Sequence, residues 1–209
     1  MINGESVLPK YIPTENVENL LPAIKITSKF INANESMDIK TASEKIFDYL
    51  ILNGSTEKNL DSLTVEEITI DEAWNNNKIQ IFRIKSENSI LYGVAVIKSD
   101  EVFMLHNAND VFLADLNDDQ KYEVCITSEI GSGIIDRRIM VLDVENLKDY
   151  QMEARMSYNF FLEIDIDTQS LIAYRSEYES NNPLENGEAD CLGQLFIKDD
   201  KLTTEYTFE

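Results

Sequence analysis

One histidine, His106, and two cysteines, Cys125 and Cys191, are all that the 209 residues hold of the side chains most used for zinc and thiol chemistry. A single histidine excludes HExxH and every multi-histidine metal centre. Two cysteines make neither a disulfide framework nor a zinc cluster, and leave one bridge or two free thiols. Neither G-x-G-x-x-G nor G-x-x-x-x-G-K-[ST] occurs, so nucleotide folds built on those loops are not supported. No run approaches the ~20 apolar residues that span a bilayer. Residues 1–10 lack a basic stretch followed by an apolar one, so no signal peptide is expected in the chain as written. Basic residues are scarce, at 18 against 39 acidic ones, for a net charge of −21. Small soluble domains usually carry a magnitude of about 2–8. Such a chain will not wrap a nucleic acid, whose binders need basic faces. It should avoid anionic membranes, and it favours cations, basic proteins or solubility for its own sake.

What remains is a globular composition. Apolar residues make up 43% and charged residues 27%, enough for a packed core. Residues 1–15, with Pro9 and Pro13, read as an extended arm. Val17, Leu20, Leu21, Ile24 and Ile31 have helical spacing, with Pro22 fit for a first turn, and predict a helix near 21–32. Ile39, Ala42, Ile46, Phe47 and Leu50 form the stripe of a second helix. Asp38, or Thr41 with Glu44, would cap it, and Asn53 with Gly54 would stop it.

Beyond Gly54 the period changes. Strands are predicted at 65–70, 79–84, 90–97, 102–105, 111–116, 122–127, 139–144, 160–166, 171–175, 194–197 and 203–208. Tight polar turns at Ser99 and Asp100, at 167–170, and at Asp199 and Asp200 favour an antiparallel meander. The expected fold class is therefore α+β: two N-terminal helices followed by a largely antiparallel β-meander. One domain is expected over 16–209, with a helical part at 16–54 and a β part at 63–209. No internal repeat at propeller-blade spacing is visible, so a full propeller is not expected.

The stretch from Val111 to Thr127 carries the clearest chemistry. Asp115, Asn117, Asp119 and Glu123 fall at positions 1, 3, 5 and 9 of one loop, and the carbonyl of Lys121 at position 7. Hard cations such as calcium (Ca2+) take six to eight oxygens, and alternate oxygen side chains in a tight loop can converge on one. Position 6 is usually Gly, because the chain turns there with φ > 0; here it is Gln120. Two readings stay open: a cation loop, weakened by strain at Gln120, or a polar hairpin that keeps its shape by side-chain hydrogen bonds.

Gly131, Ser132 and Gly133 follow. Ser132 as a nucleophile would need His106 as base and an acid such as Asp110, yet no G-x-S-x-G elbow surrounds it. A plain strand connection is the simpler reading. A third is an anion-binding nest helped by Arg137 and Arg138, although those arginines have nearer partners in Asp136 and Asp143.

The Asp loop between two strands resembles the FG-GAP and VCBS-type loops of bacterial surface proteins. Its order with Tyr122, Glu123 and Val124, then Gly131 to Ile134, then a strand ending in Asp143 is similar to a module of uncharacterised proteins from low-GC Gram-positive bacteria. That module occurs in predicted lipoproteins and in BlaR-type regulatory metallopeptidases. The resemblance covers about 90–178. It implies an extracytoplasmic, non-enzymatic domain, with ion ligation by Asp115, Asn117, Asp119 and Glu123; without HExxH, no protease activity carries over.

The leading expectation is a non-catalytic extracytoplasmic binding or sensor domain for a protein or small ligand, holding calcium in the 115–123 loop. The alternative is a cytoplasmic acidic inhibitor or immunity-type protein that binds a basic partner. A hydrolase using Ser132 and His106 is a third.

Overall fold

The computed structural model describes residues 20–27, 36–55, 59–87, 92–131, 136–177 and 183–205. The arm expected at 1–15 lies outside them. Thirteen strands and two α-helices are formed among the described residues. Strand accounts for 53% and helix for 15%, so the fold is a β-sandwich-like stack of antiparallel sheets, not the expected α+β arrangement of two N-terminal helices and a meander.

Over 21–27, the described part of the helix expected near 21–32, no helix forms. Instead Ile24–Lys25 forms strand β1, which pairs antiparallel with Leu113 and Phe112; residues 28–35 are not described. The physical reason lies on both sides of this short segment. Ala23 packs into one core and Ile26 into another, on opposite faces of the sheet that β1 extends. An extended chain can serve two faces, whereas an amphipathic helix serves one. Pro22 and the β-branched Ile24, Ile26 and Thr27 suit that state.

The second expected helix is α1, Ile39–Leu52. Asp38 is its cap: one carboxylate oxygen accepts from the amides of Lys40 and Thr41, each at 3.0 Å. Ala42, Ile46 and Leu50 form its buried face.

Three four-stranded meanders follow. The first contains β2 (Leu63–Glu67), β3 (Ile79–Ser86), β4 (Tyr92–Lys98) and β5 (Glu101–His106). The second contains β6 (Ala108–Ala114), β7 (Glu123–Ile130), β8 (Asp136–Asp143) and β9 (Lys148–Met152), with β1 added beside β6. The third contains β10 (Tyr158–Ile164), β11 (Leu171–Glu177), β12 (Asp190–Lys198) and β13 (Lys201–Glu205). A short helix, α2 (Asp71–Asn77), joins β2 to β3. The meanders begin at residues 63, 108 and 158, so the structure repeats where the sequence shows no repeat.

The layers are read from the cores. Ala42, Ile46 and Leu50 of α1 pack on Phe82, Ile84, Ala95 and Ile97 of the first sheet. The other face of that sheet meets Val111, Leu113, Val124 and Ile126 of the second. Phe112, Cys125, Ile139 and Val141 then turn from the second sheet towards Phe160, Leu162, Leu171 and Leu195 of the third. The second sheet is thus buried on both faces, which explains why 111–114 and 124–126 are unbroken apolar runs. Each such side chain contributes about 1.5–3 kcal/mol when fully buried. Asp199 and Asp200, with φ of 51° and 63°, form the two-residue turn expected of a twisted hairpin.

Candidate functional site

The 115–123 loop joins β6 to β7 at one end of the doubly buried sheet. Ala114 and Glu123 are cross-strand partners, so Asp115 leaves β6 as Glu123 enters β7. The two carboxylates are 2% and 1% exposed. Asn117 and Lys121 are half-buried, and Asp119 is exposed.

Side-chain oxygens hold the loop's shape. Asp115 accepts from the amides of Asp119 at 3.3 Å and Gln120 at 3.1 Å, and from that of Leu21 at 3.5 Å. Asn117 Oδ1 accepts from Asp119 at 3.1 Å, and Asp119 Oδ1 from Lys121 at 2.8 Å. Glu123 Oε2 accepts from the amide of Leu116 at 2.7 Å. Gln120 does turn with φ +63°, the left-handed conformation that position 6 demands, and Asp118 shares it at +62°. The loop therefore takes the required bend without glycine, at the steric cost of a side chain there.

The loop also reaches elements of all three meanders. Asn77, at the end of α2 and 2% exposed, donates to the carbonyl of Tyr122 at 3.1 Å and accepts from its amide at 3.0 Å. Lys121 Nζ donates to the carbonyl of Asn76. The amide of Ile197 in β12 donates to the carbonyl of Leu116 at 2.7 Å. Asn77 was not legible as a partner, because nothing in three consecutive asparagines shows which of them will face a strand.

The electrostatics follow from burial. Burial pushes Glu123 up to about 9; the charges of Asp143, Asp119 and Asp115 add to this, against the opposing amide of Leu116. Burial likewise raises Asp115, opposed by the amides of Leu21 and Gln120. Burial also takes the Tyr122 phenol up to about 12, with Glu72 and Asp115 adding to it. Asp143, at the end of β8 and 2% exposed, accepts from the amides of Glu145 at 3.0 Å and Asn146 at 2.9 Å. Sequence reading missed it as a neighbour of Glu123, since the two sit on adjacent strands 20 residues apart.

Of the five residues expected to ligate a metal, the structure places Asp115 and Glu123 together at the root of the loop. Asp119 is exposed, with Oδ1 on the Lys121 amide, and its charge acts on both Asp115 and Glu123. Among the described residues, no three or more His, Cys, Asp or Glu side chains gather as a metal-holding group. The ligands for a cation are Glu123 Oε1 and Asp119 Oδ2, the second lone pairs of the oxygens that accept from loop amides, and the Lys121 carbonyl.

The other expected chemistry is dispersed. Ser132 lies outside the described residues, His106 is exposed at the end of β5, and Asp110 pairs with Lys25 at 2.9 Å. Arg137 bonds Glu129 through Nε at 2.8 Å, and Arg138 pairs with Glu153 at 2.9 Å. These replace the expected partners Asp136 and Asp143: Arg137 faces Glu129 across β7 and β8, and Glu153 follows Met152, the β9 partner of Ile139, so a neighbouring strand brings each acid closer than the chain does. Cys125 is buried, Cys191 is half-buried, and both are free thiols. No helix among the described residues is long and apolar enough to cross a membrane.

Comparison with family models, curated proteins and solved structures yields no match.

Proposed function

We propose that this chain is a non-catalytic binding or sensor domain whose 115–123 loop takes a hard divalent cation, calcium by preference. One observation carries the reading. Asp115 and Glu123 are buried side by side, and among the described residues no lysine or arginine pairs with either. Buried carboxylates are costly when charged; a proton relieves Glu123 at neutral pH, and a cation at the loop's root would take that proton's place and face Asp115 as well. The left-handed turn at Gln120 supports the same reading, since it gives the loop the bend such sites use. The resemblance to surface-protein loops supports an extracytoplasmic setting.

Calorimetric titration with calcium tests it. Saturable binding that is lost in Asp119→Ala is the expected result, because Asp119 is exposed and its removal leaves the core intact. Heat of dilution alone from the wild-type chain would remove the cation from the proposal. The charge of −21 favours a second reading, an acidic inhibitor of a basic partner. Its binding would weaken steeply as salt is raised, and salt-insensitive capture would count against it.

A further inference from the structure

A second constellation lies at the opposite end of β7 and β8, independent of the cation loop. Ile130, Gly131, Asp136, Arg138, Arg155 and Met156 line a cavity of about 230 Å3. Arg138 stands on the strand face that continues into Met140, and its side chain is 17% exposed. Its Nη1 pairs with Glu153 at 2.9 Å and reaches Gln151 at 3.4 Å. Its Nε is buried and has no hydrogen-bond partner. A guanidinium donor stripped of water with nothing to bond is unusual, and a small rotation of the side chain towards the cavity would bring it to an acceptor from a ligand. Asp136 lines the same cavity and gives this Nε no hydrogen bond. Asp136 is already held by the amide of Met156 at 3.0 Å, and Arg155 reaches it only at 3.7 Å. Arg155 is 81% exposed, free to turn towards an incoming anion. The turn carrying these two residues places Met156 in the left-handed region at φ +59°, a conformation kept only where surroundings enforce it.

We propose that this cavity binds a small organic monocarboxylate, its oxygens taken by the Nε edge of Arg138 and by Arg155, its tail against Ile130, Gly131 and Met156. Arginine presents a planar fork that matches a carboxylate. The charge of −21 selects a singly charged head over phosphate or sulfate, which the surrounding field repels more strongly. The volume sets the tail: a cavity of about 150 Å3 accepts benzene, so this one holds a carboxylate with a single ring or a short aliphatic chain. Glu129 and the Phe161 ring occupy Arg137, the other arginine of the strand, so it takes no part.

The probe is benzoate, titrated into the full chain in EDTA and followed by calorimetry and by the Arg138 Nε–H resonance. Benzamide and inorganic phosphate are the controls. The expected result is saturable benzoate binding, a shift of the Arg138 Nε–H signal, and little response to either control. Arg138→Lys keeps the charge but loses the fork, and should weaken benzoate by about tenfold or more. Arg155→Ala should weaken it less. Benzamide binding as tightly as benzoate, phosphate binding more tightly, or an unmoved Nε–H signal would each overturn the proposal. The resonance is read in the wild-type chain, so the test survives even if the Arg138 variant fails to fold.

Discussion

Replacing Glu123 by glutamine should stabilise this protein at neutral pH. Glutamine keeps the shape and retains an oxygen to accept the Leu116 amide, but it has no charge to bury. The magnitude follows from linkage. The Glu123 carboxyl moves from an ordinary value of 4.5 to about 9 on folding. A value raised by folding means that the folded chain holds its proton more tightly than the unfolded chain. The associated stability is fully present below about pH 4.5 and is lost as pH rises towards about 9. At about 1.36 kcal/mol per unit, the 2.5 units between 4.5 and neutrality cost roughly 3 kcal/mol. Glu123→Gln escapes that cost. It should therefore exceed wild type by about 3 kcal/mol at pH 7 in EDTA, and by less than about 1 kcal/mol at pH 5. Urea denaturation of both proteins at several pH values measures the gap directly. A variant less stable than wild type at pH 7, or a gap that does not change with pH, would refute the reasoning. Calcium should narrow the difference, because it binds the charged carboxylate of the wild type more strongly than the neutral amide oxygen of glutamine.

Other perturbations probe the same architecture. Asn77→Ala strands both the amide and the carbonyl of Tyr122, and should cost about 2–4 kcal/mol in urea denaturation. Gly93→Ala would bring a Cβ to 2.5 Å from the Leu105 carbonyl oxygen, a backbone atom that cannot swing aside, and should cost about 1–3 kcal/mol in the same assay. Gln120→Gly relieves the left-handed side chain and should be neutral or stabilising by up to about 1 kcal/mol, while calcium titration finds a tighter site.

Much of the strand architecture is legible in the sequence because patterning is local. The unbroken apolar runs at 111–114 and 124–126 announce strands covered on both faces, and the Asp199 and Asp200 pair announces a hairpin turn. The stripe from Ile39 to Leu50 gives α1 almost residue for residue. The segment around Pro22 misleads, because its apolar residues match a helical period while serving two cores from an extended chain. Two further elements are too weakly patterned to be seen. The seven-residue α2 is dominated by asparagine, and the edge strand β9, Lys-Asp-Tyr-Gln-Met, has no buried residue. The candidate loop is visible through its spacing alone. What spacing cannot convey is that Glu123 sinks to 1% exposure beside Asp143, since that depends on how three sheets stack.

The most direct test of the cation reading is a thermal melt of the full chain in EDTA, in millimolar calcium and in millimolar magnesium. A ligand that binds only the folded state stabilises it by about 2.7 kcal/mol at 100 times its dissociation constant. A calcium-specific rise in Tm that disappears in Asp119→Ala is the predicted result. Superimposable melts in EDTA and calcium would contradict it, and would leave the 115–123 loop as a hairpin shaped by its own hydrogen bonds.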